Sequence, residues 1–450
     1  MSKYETSQYN IPSAILSTSR KKGDGCVSLD ISRIIAEIHL FEDIRLPFVT
    51  GIVVVADAEN VLDIMGFTGT EKLDLTVKST ATQEGKEINK KFFIKRVSAT
   101  DKDKQLYVFT IVEEHGFFWA TTHIQNSYEG KMEKIISNIL MDWMKKDVDD
   151  FYAEESVQND IVYLCANHSL MNIIPQLTHS MCTDRGFPYF VFGTLYEDDI
   201  KIASLDSLWN EEPFNCRPFV HSPMYIQKAI EDGDKAAEFY NIINYDPQQD
   251  LSDYNLYKSG DLNANISSID TETGQPKTIN IDQKSVADVI DLLVGKSPGT
   301  GIQFLFNPSE TETMNGIPLK DSLSSNPVHL KLSNQAENGQ FSFAERNKKD
   351  PVNGIAVEKL WGLSMRLRNN ISTVMIPIVV PGTAFFEAEA SVGRTVTLKF
   401  FKSDESKQEE RGAVEDKRLT GKYIITNIKH MFLQEQHLAQ LVVAKFHEEE

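Results

Sequence analysis

The chain has 450 residues, room for roughly three domains at the usual ~100–200 residues each. With 41% apolar and 25% charged residues it can bury sizeable cores, which excludes wholesale disorder. Its 46 Lys and Arg stand against 65 Asp and Glu, and the resulting charge of −19 argues against duplex DNA binding through a basic patch and against adhesion to an anionic membrane.

Four cysteines, Cys26, Cys165, Cys182 and Cys216, are too few for a disulfide scaffold and read as reduced thiols. Met1 to Pro12 is polar and lacks the apolar run of a signal peptide. No stretch approaches the ~20 apolar residues of a membrane span. The expectation is a chain that folds in the cytoplasm and would need a machine for any export.

Residues 1–27 are polar, with a basic knot at Arg20, Lys21 and Lys22, and read as an N-terminal arm: either a frayed terminus or a segment that orders on a partner. Residues 28–120 read as β-structure. Ile34, Ala36, Ile38 and Leu40 alternate with their neighbours at the period of a strand. Phe48–Ala56, Lys72–Lys78, Phe92–Val97 and Leu106–Val112 add four more runs, suggesting a small sandwich or barrel.

Residues 121–215 change to α+β. Ile135, Ile136, Ile139, Leu140 and Trp143 mark one face of an amphipathic helix over 131–146. Ser169 to Cys182 reads as a second helix, with Pro175 either starting a shorter one or kinking a longer one. Phe187–Phe192 and Ile200–Leu205 read as a hairpin. Residues 216–250 hold a short helix or strand pair, and 246–353 are loop-rich, with periodic islands at Ser285–Val294, Ile302–Phe306 and Val328–Leu332. A structureless loop of that length is improbable inside a domain, so it reads as an inserted subdomain. A helix follows over 355–367, then strands at Met375–Val380, Arg394–Phe401, Lys422–Met431 and His437–Phe446. Between the second and third of these strands, Lys402 to Arg418 is dominated by charge and reads as a long solvated hairpin loop.

Chemistry-bearing motifs are scarce. Gly295-Lys296-Ser297 resembles the end of a phosphate loop, but Ile290 stands where that motif needs glycine, and Gly295 reads as a helix terminator. Cys165-x-x-His168 and His179-x-x-Cys182 offer a zinc-ligand set. The helix between them would hold the two pairs ~16 Å apart unless Pro175 breaks it. Paired acids such as Glu113-Glu114 beside His115, Asp149-Asp150, Asp198-Asp199 and Glu409-Glu410 read as solvated faces in a chain with 65 acids. Phe117, Phe118 and Trp119 read as core. The expectation is no enzyme activity, no cofactor, no metal and no catalytic residue.

The ordered run of motifs carries more information. Glu37-Ile-His-Leu-Phe-Glu-Asp-Ile-Arg-Leu-Pro-Phe-Val-Thr-Gly-Ile-Val-Val-Val55 and then Gly69–Leu75 resemble the opening β-domain of the central baseplate hub proteins of contractile-tailed bacteriophages. Pro218–Tyr245 and Tyr257–Leu262 resemble that family's mid-chain passage. Pro377–Thr383, Val392–Leu398 and Gly421–His430 resemble its closing β-domain. The resemblance spans about residues 28–446, with no counterpart for 251–353.

That resemblance implies a β-rich α+β chain in which two β-barrel tube-type domains are interleaved with α+β domains. Their expected bounds are 28–120 for the first barrel, 121–215 for an α+β domain, 216–250 plus 372–446 for the second barrel, and 251–371 for the inserted subdomain with its helix. It also implies a homotrimer whose six tube domains form a pseudo-sixfold ring. Such a ring joins the hexameric tail tube or its initiator proteins above to the trimeric spike below, with wedge and tape-measure proteins as further candidate partners. DNA passes through during ejection without specific binding, and the location is the virion baseplate after assembly in the host cytoplasm. The long hairpin would contact a neighbouring ring through Lys402, Glu405, Glu409, Arg411, Asp416 and Arg418. Alternatives are the hub component of a type VI secretion or tail-like injection device, whose chains usually continue into a spike where this one stops, or a carbohydrate-active multi-domain β-protein.

Overall fold

Seven strands open the chain: β1 (Tyr9–Lys22), β2 (Gly25–Asp30), β3 (Ile35–Asp43), β4 (Thr50–Ala56), β5 (Lys72–Ser79), β6 (Glu87–Asp101) and β7 (Leu106–Glu113). They belong to a computed structural model that describes residues 8–22, 25–58, 67, 69–80, 87–101, 105–144, 151–153, 160–221, 232–246, 264–270, 276–281, 283–295, 313–314, 317–318, 328–332, 357–373, 375–402, 414–417, 419–433 and 436–446. All seven pair antiparallel in the order β3-β4-β7-β6-β5-β1-β2. The strand period puts alternate residues on one face, so Ile38 and Leu40, Val53 and Val55, and Leu73, Leu75 and Val77 all point into a single core. Full burial of such aliphatic side chains contributes about 1.5–3 kcal/mol each.

The N-terminal segment differs from the expected arm. Much of it is β1, paired with β5 on one edge and β2 on the other. Ala14, Leu16 and Thr18 point inward. The segment looks polar because Leu16 is the single large apolar residue among these three inward positions, while its other face meets solvent. At its start Gln8 forms an antiparallel bridge with Gln436, and the Tyr9 ring stacks edge-on against Phe432 at 5.0 Å.

The closing strands are β12 (Met375–Pro381), β13 (Thr395–Lys402), β14 (Val414–Glu415), β15 (Gly421–Leu433) and β16 (Gln436–Ala444); two mid-chain strands, β10 (Phe219–His221) and β11 (Asn244–Tyr245), join them. β10 runs parallel to β13, and β11 pairs antiparallel with β12. A parallel bridge, Val220 to Asn241, links these two additions. The sheet order continues β11-β12-β16-β15-β3, so opening and closing strands share one 14-stranded sheet. The chain is thus β-rich, with one dominant, mostly antiparallel sheet and few helices.

β15 is the joint. One edge pairs with β16 over its length, while the other pairs with β13 at 421–424 and with β3 at 427–433. The change of partner falls at a register shift between Ile425 and Asn427. There Gly393 donates its amide to the Ile425 carbonyl at 2.9 Å, and Ile44 donates to the Thr426 carbonyl at 3.0 Å. A bulge increases local twist, which lets one strand leave one partner and take another.

Between the two groups lie α1 (Met132–Met144), α2 (Leu170–Ser180) and α3 (Leu205–Asn210), with the hairpin β8 (Tyr189–Gly193) and β9 (Ile200–Ser204). Pro175 sits inside α2, which continues past it to Ser180. In the inserted region the described pieces are strands Ala264–Asp270, Pro276–Ile281 and Val328–Leu332 in one three-stranded sheet, the short antiparallel pair Thr313–Met314 and Ile317–Pro318, α4 (Gln283–Leu293) and α5 (Val357–Thr373). A last short helix is α6 (Thr383–Ala388).

α5 runs longer than the spacing over 355–367 predicts, and it docks through residues spread from Leu360 to Arg368. Leu360, Leu363 and Leu367 are buried on one face. The Trp361 indole donates to the His179 carbonyl at 2.9 Å, and Arg368 Nη2 donates to the carbonyls of Thr178 (3.1 Å) and Tyr189 (2.5 Å). A helix leaves its last carbonyls without intrahelical partners, so α5 supplies donors to the end of α2. Burial, and then Arg45 nearby, pushes the Arg368 guanidinium down to about 9, still protonated at neutral pH. Arg368→Met should therefore lower unfolding free energy by about 1–3 kcal/mol in urea titrations, the cost of stripping a donor from buried carbonyls. An unchanged midpoint would mean that the leucine face alone carries the docking.

Candidate functional site

The charged connection singled out in the sequence is shorter than expected. β14 returns to pair with β13, Glu415 opposite Phe401 and Val414 opposite Lys402. Asp416 is 6% exposed, its amide donating to the Phe400 carbonyl at 2.8 Å and its carbonyl accepting from Thr420 at 2.8 Å. It is turned inward by this strand return and is not part of a solvated loop. Lys402 ends β13, and Glu405, Glu409, Arg411 and Arg418 lie outside the described residues.

The cysteine–histidine set does not converge. α2 separates His168 from His179, and among the described residues no three His, Cys, Asp or Glu side chains are placed to hold a metal. Cys165 and Cys182 are buried, and burial pushes the Cys165 thiol up. His179 is pushed down to about 4 by burial, then by Arg368 and Arg45. Of the aromatic trio, Trp119 packs edge-on against Phe48 at 5.3 Å and Phe117 packs against Phe93 at 4.6 Å, whereas Phe118 is 45% exposed.

The acid pair Glu113-Glu114 divides, contrary to the expectation of a solvated face. Glu113 is buried at the end of β7. One of its oxygens accepts the Val49 amide at 2.9 Å and the other accepts Lys90 Nζ at 3.1 Å. Lys90, itself 4% exposed, also donates to Asp198 Oδ1 and the Glu197 carbonyl, both at 2.8 Å. The cluster fastens β6 and β7 to the turn between β8 and β9. Burial alone would lower the Lys90 ammonium, but Glu113 and then Asp198 reverse this and raise it. With the folded value raised, its contribution is complete at neutral pH and is lost only as pH climbs past 10.5 through that value. Glu114 instead makes a surface pair with Lys72 at 2.5 Å.

A second polar cluster carries no motif and escapes sequence reading. His430 on β15 lies between Glu42 on β3 and His437 on β16, with His430 Nε2 3.0 Å from Glu42 Oε1 and His430 Nδ1 3.1 Å from His437 Nε2. Glu42 and His437 are 1% exposed and His430 is 0%. Glu42 Oε2 also accepts the Val392 amide at 3.4 Å. Burial, and then His430, holds His437 well below the ordinary imidazole range. Burial, and then Glu42 and Glu389, pushes Tyr196 well above the ordinary phenol range. The carboxylate–imidazole–imidazole order resembles a proton relay, but all three side chains are sealed from solvent, so the geometry suits holding the joint together. The available signal was alternation: Ile428, His430 and Phe432 share the inward face of β15, and His437 shares that of β16 with Ala439.

Removing one partner of a buried ion pair strands the other charge. Glu113→Ala should lower stability by about 3–5 kcal/mol, whereas Glu114→Ala should cost under about 1 kcal/mol. Urea unfolding of the two variants checks this, and equal losses would refute the division of the pair.

No family model matches the sequence, and no curated protein does. Among solved structures, the tail protein from Neisseria meningitidis MC58 superposes with a TM-score of 0.52 at 10% identity, over 97% of each chain. The 43 kDa tail protein of prophage MuSo2 from Shewanella oneidensis gives 0.48 at 9% identity, over 96% of this chain and 98% of that one. A Francisella PdpA–VgrG complex gives 0.43 at 10% identity, over all of this chain and 55% of the other. No helix among the described residues is long and apolar enough to cross a membrane. Over nearly its whole length, the chain has the fold of a tail protein.

Proposed function

We propose that this chain is a structural hub of a phage tail, a non-enzymatic trimer that joins a hexameric tube to a trimeric spike. The observation that carries the reading is the fold shared with a tail protein over 97% of both chains. A partial or single-domain match would leave the remaining chain unexplained; this one covers both strand groups and the material between them.

Two features of the strand pairing support two barrel-like domains. In the opening group, β3-β4-β7-β6-β5-β1 wrap one core, and the Gln8–Gln436 bridge brings β1 back to the start of β16. In the closing group, β10, the 241–245 segment, β12, β16, β15 and β13 form a circuit, with the Val220–Asn241 bridge completing it. A trimer would then present six tube-type domains to a sixfold partner, resolving the symmetry mismatch by duplication within one chain.

Charge fits passage of DNA. Three copies bring about −57 in formal charge. Where that charge faces a channel, it keeps DNA from adhering to the wall, since retention would require cations to displace counterions. The absence of an enzymatic role in this reading rests on the two polar clusters, both built into strand junctions. The β13–β15 connection, with Glu405, Glu409 and Arg411, is assigned to contact with the neighbouring ring. Replacing 403–413 by a short glycine turn should leave the fold intact and weaken capture by tube protein, and undiminished capture would remove that assignment.

The decisive measurement is mass and shape. Mass photometry or sedimentation of the purified chain at micromolar concentration should give three times 50.9 kDa, and images should show a three-lobed ring with a central opening. A chain that stays monomeric at all concentrations, alone and with tube protein, would overturn the hub reading.

A further inference from the structure

The proton count of the buried Glu42–His430–His437 chain follows from its geometry. His430 places Nε2 3.0 Å from Glu42 Oε1, so that nitrogen carries the hydrogen and donates to the carboxylate. His430 Nδ1 is then left with its lone pair facing His437 Nε2 at 3.1 Å, and His437 donates. The remaining nitrogen, His437 Nδ1, has no hydrogen-bond partner. It lies against Gly382, where an added Cβ would sit only 2.0 Å away. With both imidazoles neutral, every hydrogen in the chain has an acceptor and only a lone pair faces the glycine methylene.

A proton added to His437 breaks this pattern. On Nδ1 it would point at the Gly382 methylene, which accepts nothing. Protonating both rings would set two cations 3.1 Å apart out of contact with water. Glu42 from β3 faces His430 rather than His437, so its carboxylate does not pair with a charge added to His437. Tyr196, from the turn between β8 and β9, meets His430 edge-on and is itself linked electrostatically to Glu42 and to Glu389 after α6. The other walls are aromatic: Phe432 stacks on His437 at 4.3 Å, and Phe386 meets it edge-on at 5.0 Å.

The three residues come from three adjacent strands, at the point where β3 of the opening group meets β15 of the closing group. We infer that the chain Glu42–His430–His437 is an acid-sensitive latch: it holds the β3–β15 joint closed while His437 is neutral and releases it when His437 takes a proton. Release frees 37–43 from 427–433 and lets the two strand groups move relative to each other. This inference stands on the joint alone and does not depend on the tail reading. For one proton taken up on opening, the opening constant rises about tenfold per pH unit below the ordinary imidazole range.

The test is hydrogen exchange of the full chain between pH 7.5 and 5.0, corrected for intrinsic exchange rates. Peptides covering 37–43 and 427–433 should lose protection about tenfold per pH unit below 6.5, while those covering 72–79 should not. His437→Gln keeps a donor toward His430 and cannot titrate, so it should abolish the dependence at the joint. The response of His179 would appear in α2 and is separable. Nitrogen-15 spectra of histidine-labelled wild-type protein give a readout that needs no variant: His437 should stay neutral for as long as the joint amides stay protected. Protection independent of pH, the same dependence in His437→Gln, or His437 protonating with the joint closed would each overturn the latch.

Discussion

A strand has two edges of backbone donors and acceptors, and burying an edge unpaired is costly. β15 meets this constraint in a way that organises the molecule. β16 covers one edge, and the other is divided between β13 and β3. One thirteen-residue strand therefore belongs to both groups, through its 421–424 and 427–433 stretches. The bulge at 425–427 is what makes the division possible, because a straight strand would carry the twist of one group into the other. The Gly393 and Ile44 amides satisfy the carbonyls that the ladder leaves at the changeover.

Sharing a strand explains where polar groups are buried. An inward position at the middle of either group meets apolar neighbours, as Leu73 does between Leu16 and Phe92 and Leu441 does between Ile378 and Ile428. At the joint, cross-strand neighbours come from two differently twisted groups, and the space is filled by Glu42, His430 and His437, stacked with Phe432. Aliphatic residues could fill it with no desolvation cost. A hydrogen-bonded chain adds directionality, since it is satisfied in one register only, and a slip of β3 on β15 by one residue would turn Glu42 to the other face and strip His430 of its carboxylate partner.

Much of the fold was legible because apolar alternation announces strands regardless of partner. The runs at 34–40, 48–56, 72–78 and 106–112 and the four closing strands all stand in the large sheet. β1 was not legible, since Ala14 and Thr18 are weak inward signals and its pairing depends on β5, more than fifty residues away. Legibility of the polar clusters was lower still. Glu113 looks like any acid in an acidic chain, and only the burial of Lys90 opposite it, with Asp198 contributed by a distant turn, makes it structural. Glu42 and His430 lie 388 residues apart, so nothing local in the sequence links them. Alternation alone could have flagged them, as titratable side chains at positions whose period-two neighbours are Leu40 and Phe432.

Two buried cations extend the same logic to the segment between the strand groups. Lys90 fastens the opening strands to the β8–β9 turn, and Arg368 fastens α5 to the end of α2 and to β8. Both reach the β8–β9 hairpin from opposite sides, and Tyr196 in its turn packs edge-on against His430 at 6.4 Å. The hairpin is therefore held by an ammonium, a guanidinium and the aromatic wall of the joint. Apolar packing tolerates small slides, whereas a buried cation loses its acceptors when displaced by an ångström or two. Placing the cations at the contacts between segments, and leaving the interior of each segment largely apolar, fixes how the parts sit on one another. That division of labour places the specific contacts of the fold where its segments meet, and the inferred latch lies at the strand that the two groups share.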